Sequence, residues 1–381
     1  ENTKMGESYH LRNLSGIPRC PLPPNGVISY VAYTNETSNV TTHSSQPTGS
    51  DNEIDWFGVM VPTICLFGII GNILNVLVLT RRRMLSGMDR LEKSANYGLV
   101  ALAFSDLMYC LMAFPLTFIK SHEITNPESE VYSMNFRLYG ISMINLFFMI
   151  STWLIVCMAV NRFIVVVYPF KARQVLGTRY TLGSIVCVYL FSFIATLPFY
   201  LRIVIGPCYE EHFDIRYAFL PRWSVRATDN LKLYKQWVWP VIADFIPVVV
   251  LALCNSRLIH ELRAADSNRR RLGQNQGQAA RDSSQKVTLT LVVIVLMLLF
   301  LASPSEILRY INPYKVFGQE IGRTVANVAN IMQLFNFALN FVLYCLVNPG
   351  FRKEIKVMLA CCLPKTKSNR FLAATTECTN V

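Results

Sequence analysis

The feature of this chain that most constrains its fold is a series of long apolar runs with few or no charged residues. In chain order they are Phe57–Thr80, Ala95–Ile119, Leu138–Asn161, Tyr180–Leu201, Gln236–Ser256, Val287–Tyr310 and Thr324–Asn348, hereafter span 1 to span 7. About 20 apolar residues cross the roughly 30 Å of bilayer hydrocarbon as a helix. Because lipid offers no hydrogen-bond partner, an open chain can cross it only as a helix. The sequence therefore predicts an all-α membrane protein, a bundle of seven transmembrane helices.

Composition excludes the common soluble classes. Of the 381 residues, 52% are hydrophobic and 16% are charged, whereas soluble domains average about 25% charged residues. The apolar content is too high for a disordered chain. Eleven cysteines are too sparse for a small disulfide scaffold. We therefore interpret the chain as an integral membrane protein.

The basic residues predict which way the bundle faces. The segments that follow spans 1, 3, 5 and 7 carry 22 Lys and Arg against seven Asp and Glu, although the whole chain has a net charge of +12. Basic segments next to membrane helices stay in the cytoplasm. We therefore expect a multi-pass plasma-membrane protein with an extracellular N-terminus and a cytoplasmic C-terminus. The same asymmetry accounts for the positive charge without a nucleic-acid partner.

The chain divides into three predicted parts. Residues 1–55 are polar and are expected to form an extracellular segment, with span 1 acting as the signal-anchor because no secretory apolar core precedes it. Three glycosylation sequons lie in this segment, at Asn13, Asn35 and Asn39. Residues 56–349 are the predicted transmembrane domain. Residues 350–381 are a predicted cytoplasmic tail, which begins with a short amphipathic eighth helix at Phe351–Ala360 and has a flexible end.

Polar residues and prolines inside the spans form an ordered series of short motifs. They are Gly71-Asn72, Leu102-Ala-Phe-Ser-Asp106, Asn161-Arg162-Phe163, Pro247, Pro304, Asn340-Phe-Val-Leu-Tyr344 and Phe351-Arg352-Lys353. The series resembles that of the rhodopsin-like (class A) G-protein-coupled receptors along the whole membrane domain. Within that class, Asn340-Phe341 in place of Asn-Pro, together with Cys254-Asn255-Ser256, resembles the FMRFamide-receptor-like group of neuropeptide receptors.

The resemblance implies a signal transducer with no catalytic chemistry of its own. An extracellular ligand would shift the bundle toward an open form that promotes nucleotide exchange on a heterotrimeric G protein. A receptor kinase and arrestin are the further implied partners. The residues that the resemblance assigns to activation and G-protein coupling are Arg162, Asn161, Tyr344 and Asn340.

Three positions depart from the pattern of the class. Asn161 replaces the acidic neighbour of Arg162, so the resting contact lacks charge pairing and we expect raised basal signalling. Ala302 replaces the tryptophan of span 6, so the rotamer change usually assigned to that tryptophan is not expected here. Asn255 replaces the tyrosine of span 5, which removes the usual partner of Tyr344.

One carboxylate lies in the middle of span 2. Unpaired in lipid, the charge of Asp106 would be costly. Asn336, Asn340 and Tyr344 recur every four residues and so share one face of span 7. Together with Ser151 on span 3, these residues match positions that hold a sodium ion in related receptors, and oxygen ligands suit a hard cation. The alternative is a protonated Asp106 that bonds neighbouring amides without an ion.

The sequence disfavours two ligand classes of such receptors. An amine would need a carboxylate in span 3, where Ile144 stands, and retinal would need a lysine in span 7, which has none. The long loop at about 202–235 and the polar N-terminal segment favour a peptide, with a non-peptide ligand as the alternative. The candidate ligand contacts are Asp244, Glu306, Arg309, Ile144, Phe148 and Tyr310.

Ionisable residues inside a membrane span are candidates for function. Asp244 or Glu306 would bind a cationic or amidated end of the peptide, and Ile144, Phe148 and Tyr310 would supply apolar contacts. The alternative is that these charges pair internally. The pairs would be Glu306 with Arg309 and Asp244 with Arg202.

Cysteine positions predict two modifications. Cys20 and Cys208 are the two cysteines on the predicted extracellular side, and the usual partner at the outer end of span 3 is absent. In an oxidising compartment we expect these two to form a disulfide. Cys361 and Cys362 follow the amphipathic stretch and are expected to be palmitoylated.

Two cytoplasmic segments suggest further contacts. Arg269-Arg-Arg271 is expected to contact anionic membrane lipid or the G protein, unless it only marks the cytoplasmic side. The chain ends in Thr379-Asn-Val381, which resembles the terminal ligands of PDZ domains.

Other seven-helix classes fit less well. A channel, transporter or pump would need a continuous polar path or internal repeats, whereas the buried polar groups here cluster around Asp106. A membrane metalloenzyme is also disfavoured, because all five histidines lie outside the membrane core.

Overall fold

The computed structural model describes residues 56–86, 88–118, 127–201, 203–210, 213–221, 233–272, 292–311 and 313–362. The helices are α1 (Trp56–Leu79), α2 (Arg82–Ser86), α3 (Arg90–Leu116), α4 (Pro127–Val167), α5 (Pro169–Val175), α6 (Thr178–Leu201), α7 (Ile246–Leu272), α8 (Ser303–Ile311), α9 (Pro313–Phe317), α10 (Gln319–Ala338), α11 (Asn340–Val347) and α12 (Pro349–Cys362). Two strands, β1 (Ile203–Glu210) and β2 (Phe213–Pro221), follow α6.

Helices occupy all seven predicted spans. Spans 1 to 4 are α1, α3, α4 and α6, and span 5 runs from Tyr234 into α7. Within the described residues, five helices are long and apolar enough to cross a membrane. The bent pair α10 and α11 together forms a sixth span, which is span 7. Span 6 is the shorter apolar helix Val292–Leu308. Residues 287–291, at the start of predicted span 6, lie outside the described residues. The predicted helical bundle and eighth helix, α12, are confirmed.

Each π-helical turn of the described chain lies directly before a proline. The turns and their prolines are Tyr234–Val238 with Pro240, Val241–Phe245 with Pro247, and Leu298–Ala302 with Pro304. Proline lacks an N–H, and its ring clashes with the carbonyl four residues earlier. The preceding turn widens as a result. In span 6, the distortion beside Pro304 therefore takes the form of a π turn.

Span 7 bends without a proline. α10 and α11 meet at Leu339 with an angle of 50°, although Phe341 stands where related receptors have proline. Beside the bend, Nδ2 of Asn72 on span 1 donates to the backbone carbonyl of Phe337 at 3.0 Å. A side chain that engages the helical carbonyl ladder is a recognised cause of kinking. We attribute the bend to this contact.

Close approach of spans 1, 2 and 7 depends on glycine in span 1. A Cβ built on Gly68 would lie 2.7 Å from the Cys110 sulfur and 3.2 Å from Cβ of Ala338. A Cβ on Gly71 would lie 2.9 Å from Cβ of Phe341. Neither position has room for a side chain, so these glycines allow span 1 to reach the bend.

We expect Gly68→Ala to lower the thermal unfolding midpoint of the detergent-purified protein. Alanine in a helix interior normally gains about 0.5–1 kcal/mol over glycine, but overpacking at a closed contact costs about 1–3 kcal/mol. Gly183→Ala is the matched control, because its Cβ would meet nothing within 4 Å. An equal rise of the midpoint in both variants would contradict this account of the packing.

One part of the fold was not predicted. β1 and β2 form an antiparallel hairpin within the segment treated as a loop, with Cys208 opposite Arg216. The run Ile203-Val-Ile205 is typical of strands, because β-branched residues favour extended backbone. Since span 4 leads directly into this hairpin, we call that end of the bundle the hairpin end and the opposite end, which carries Arg162, the basic end.

Helix α12 docks on span 7 at the basic end. Phe351 is fully buried, and its ring centroid lies 5.6 Å from that of Tyr344. Nη1 of Arg352 donates to the backbone carbonyls of Cys345 and Leu346 at 3.1 and 2.8 Å. These carbonyls end span 7 and would otherwise lack helical partners. The Phe-Arg pair thus anchors α12 at the end of the span.

Candidate functional site

The carboxylate of Asp106 is the centre of a buried cluster that joins three spans. Oγ of Ser151 on span 3 donates to Oδ1 of Asp106 at 2.7 Å, and Nδ2 of Asn340 on span 7 donates to Oδ2 at 2.5 Å. Asp106 is fully buried, and Asn336 is buried on the same face of span 7 as Asn340. The structure therefore brings together three of the four residues predicted for the sodium or polar switch, Asp106, Ser151 and Asn340, and the part of Asn336 stays a prediction.

The donor set bears on whether this cluster holds an ion. Asp106, Ser151, Asn336 and Asn340 all carry oxygen atoms, as a hard cation prefers. In the observed geometry, however, Ser151 and Asn340 present donors to the carboxylate. One donor therefore lies on each carboxylate oxygen, and the choice between a bound ion and a protonated Asp106 stays a prediction. The residues fit sodium once the Asn340 amide turns its oxygen toward Asp106.

Two polar side chains near this cluster remain without partners. The Tyr344 hydroxyl and Nδ2 of Asn255 are buried, and neither has a hydrogen-bond partner among the described residues. An unpaired buried polar group costs about 1–3 kcal/mol. Any state in which these two side chains find hydrogen-bond partners is therefore stabilised.

Arg162 lies at the basic end in a small cavity between spans 2, 3 and 4. Its side chain is 3% exposed, and Nη2 has no hydrogen-bond partner within the part of the chain described. The half-buried Asn161 lines the same cavity. The other lining residues include Ser94, Met158 and Thr181. The predicted coupling residue is therefore held inside the bundle in this conformation.

A second buried polar cluster joins spans 6 and 7, beyond Pro304 toward the hairpin end. Nε2 of Gln333 donates to Oε1 of Glu306 at 2.9 Å. The Ser305 hydroxyl donates to Oε1 of Gln333 at 2.9 Å and to Oδ1 of Asn330 at 3.1 Å. Glu306 is 4% exposed. Sequence reasoning found Glu306 but missed Gln333 and Asn330, two amides three residues apart in span 7.

The remaining predicted ligand contacts are dispersed. Asp244 is half-buried in the π turn of span 5. Phe148 is buried against Phe337, with ring centroids 6.3 Å apart, and Ile144 packs at the edge of the same core. Phe148 therefore lines no open surface in this conformation. Arg309 and Tyr310 lie on α8 with Glu306, and the roles of their side chains stay predictions.

Several other predicted sites fall outside the described residues or side chains. Asn13, Asn35, Asn39, Cys20, Arg202 and Thr379–Val381 lie outside the described residues. Cys208 lies in β1, Cys361 and Cys362 end α12, and Arg269–Arg271 lie near the end of α7. Disulfide pairing, glycosylation, palmitoylation and these contacts stay predictions. The six described cysteines with placed side chains are free thiols that lie in helices.

The fold and its two buried clusters define a class, that of the rhodopsin-like receptors. The crystal structure of squid rhodopsin superposes with a TM-score of 0.57 at 17% identity, over 84% of this chain and 91% of that one. Residues 59–362 match the family described as the serpentine type 7TM GPCR chemoreceptor Srw. The chain belongs to this family of G-protein-coupled receptors. It is therefore a multi-pass membrane receptor and not an enzyme.

Two relatives bear on the ligand. The FMRFamide receptor of Drosophila melanogaster is 23% identical over 315 residues, which cover 81% of this chain and 54% of that receptor. The melatonin receptor type 1B-B of Danio rerio is 23% identical over 348 residues, 88% of this chain and 90% of that receptor. The chain spans about half the length of the FMRFamide receptor that it matches. The predicted resemblance to FMRFamide-receptor-like proteins is thus matched by a measurable similarity.

Proposed function

We propose that this chain is a receptor for an extracellular peptide, and that peptide binding promotes nucleotide exchange on a heterotrimeric G protein. Membership of the receptor family supports the signalling role, and similarity to the FMRFamide receptor supports a peptide ligand. The similarity to a melatonin receptor favours a small non-peptide ligand as the second candidate. Plasma-membrane location, with the hairpin end outside and the basic end in the cytoplasm, belongs to the same proposal.

The observation that carries the peptide assignment is the buried carboxylate cluster near the hairpin end. Glu306 lies 4% exposed between spans 6 and 7, with a neutral amide from Gln333 on one oxygen. A buried carboxylate is stabilised most by a cation. Alongside its contacts within the bundle, this carboxylate would favour a guanidinium or ammonium of a peptide ligand, whereas melatonin, an amide, carries no cation. A second carboxylate, Asp244, is half-buried in the π turn of span 5.

The ligand class is tested in cells that express the native chain. We expect calcium or cAMP responses to at least one member of a panel of amidated peptides with basic residues, and none to melatonin. A response to melatonin alone would replace the peptide assignment by the second candidate. Mock-transfected cells and measurement of surface protein control for endogenous receptors and for poor expression.

Glu306 is the residue with the sharpest expected effect on ligand recognition. We expect Glu306→Gln to lower the potency of the activating peptide at least about tenfold, since loss of one partner of a buried charge contact costs about 2–5 kcal/mol. The control is a peptide in which the cation is replaced by a neutral residue of similar size. Its potency should be equal on the native and variant receptors, and an unchanged potency of the parent peptide would contradict the assignment.

The remaining partners follow from the same proposal. Arrestin and a receptor kinase would act on the cytoplasmic tail, a PDZ domain would bind Thr379–Val381, and acyl chains on Cys361 and Cys362 would hold the end of α12 at the membrane. A Cys20–Cys208 disulfide would tie the N-terminal segment to β1. Glycans at Asn13, Asn35 and Asn39 would lie on the extracellular side. A sodium ion at Asp106 would act as an allosteric ligand that stabilises the resting state.

A further inference from the structure

The cavity at the basic end, between spans 2, 3 and 4, contains a buried cation. It has a volume of about 30 Å³, and Arg162 is among its lining residues. Arg162 is 3% exposed, and its Nη2 is buried without a hydrogen-bond partner among the described residues. Burial of an unpaired charge is costly in an apolar interior. The cavity therefore favours an occupant that carries negative charge and accepts hydrogen bonds.

The other polar side chains of the cavity can also donate hydrogen bonds. The hydroxyls of Ser94 and Thr181 are buried and bond to each other. A bond between two hydroxyls uses one of their two protons, so the second proton is available to an occupant. The amide of Asn161, which is half-buried on the same cavity, adds N–H donors. Donors from spans 2, 3 and 4 thus meet at one small space.

Among the described residues that line this cavity, none carries a carboxylate. The residue before Arg162, which is acidic in the class, is the neutral Asn161 here. The acids nearest to Ser94 in sequence, Asp89 and Glu92, cap α3. Oδ1 of Asp89 accepts from the backbone N–H of Glu92 at 2.7 Å, and Oε2 of Glu92 accepts from that of Asp89 at 3.2 Å. The lining of the cavity therefore has a positive charge and no negative one.

We propose that this cavity is a binding site for a small monovalent anion of halide size, in cells chloride. The anion accepts hydrogen bonds from Nη2 of Arg162, from the Asn161 amide and from one of the two hydroxyls. Bonds from an ionised donor are stronger than neutral ones. About 10–15 Å³ suffices for one water molecule, so the cavity admits an ion of chloride's size and excludes large organic anions. Water would satisfy the donors but would leave the charge of Arg162 unpaired.

The bound anion stabilises the position of Arg162 inside the bundle, because the guanidinium loses its countercharge when it leaves the cavity. The anion supplies the charge that Asn161 lacks, and it therefore opposes the raised basal signalling expected from Asn161. This consequence rests on the proposed coupling role of Arg162. The binding of the anion does not, and it is tested without a G protein.

Thermal unfolding of the detergent-purified chain tests the binding. At equal sodium concentration and ionic strength, we expect the unfolding midpoint in sodium chloride to lie about 2 °C above that in sodium gluconate. The rise should saturate with chloride concentration, as for any ligand that binds the folded state. Constant sodium keeps any ion at Asp106 from contributing. Equal midpoints in the two salts would overturn the proposal and leave water as the occupant.

Two substitutions locate the anion in this cavity. Arg162→Gln removes the cation, and Asn161→Asp supplies a fixed carboxylate in its place, so both should abolish the chloride-dependent rise. Asn161→Asp pairs the buried charge and so provides the test if Arg162→Gln unfolds. Arg83→Gln, which removes an exposed cation at the same end, is the control and should keep the full rise. A rise of native size in Asn161→Asp or in Arg162→Gln would overturn the proposal, whether or not the receptor couples.

Discussion

Arg162→Ala is expected to reduce the maximal peptide-evoked response at least about tenfold, since removal of one partner of a buried charged contact costs about 2–5 kcal/mol. The side chain is buried at the basic end in the described conformation, with Nη2 unpartnered. An outward movement of span 6 would expose it to the G protein, which can satisfy these donors. Calcium and cAMP assays at equal surface expression measure the effect.

The matched control for this substitution is Arg83→Ala. Arg83 is exposed at the same end of the bundle, in α2, and makes no contact with the cavity of Arg162 among the described residues. We expect its response to stay within a factor of about two of the native one, as a surface charge is worth about 0–1 kcal/mol. Equal losses in both variants would mean that positive charge in general, rather than Arg162, supports coupling.

Asp106→Ala is expected to destabilise the receptor by at least about 2 kcal/mol, since the buried donors of Ser151 and Asn340 each lose their acceptor at about 1–3 kcal/mol apiece. These two bonds connect spans 2, 3 and 7, so the loss should also uncouple peptide binding from signalling. Thermal unfolding in detergent measures the first effect. Replacing sodium by choline in a peptide-binding assay tests for the ion. The exchange should change peptide binding to the native receptor and leave binding to Asp106→Ala unchanged.

Ser105→Ala is the control for this second substitution. Ser105 is as buried as Asp106, and its hydroxyl donates to the carbonyl of Leu102 within the same helix at 3.0 Å. No contact between spans is lost, so the unfolding midpoint should change little. Destabilisation as large as that of Asp106→Ala would show that any polar change in span 2 has this effect. A sodium response that survives in Asp106→Ala would place the ion elsewhere.

Much of this architecture could be predicted, because a bilayer imposes strong constraints. A helix that crosses hydrocarbon must be apolar over about 20 residues, so the spans are visible in the composition. Polar residues within them must find buried partners, and for that reason Asp106, Ser151 and Asn340 could be named before their contacts were known. Arg162 and Glu306 stood out on the same ground.

Other features depend on contacts that no local pattern encodes. The bend at Leu339 lies beside Asn72, which is distant in sequence and donates to the Phe337 carbonyl. The amide cluster around Glu306 involves Gln333. The position of Gln333 along span 7 does not distinguish it from other buried residues of that helix. The hairpin Ile203–Pro221 was missed because its strands lie in a segment rich in charged residues that was interpreted as a loop.

The most direct test of the account is the rate of nucleotide exchange on purified heterotrimeric G proteins, measured in membranes that carry the native chain or Arg162→Ala. With a peptide that activates cells expressing the chain, the account predicts accelerated exchange on at least one G-protein class by the native chain and exchange at the background rate by Arg162→Ala. Saturable binding of that peptide with no acceleration of exchange on any G-protein class would contradict it.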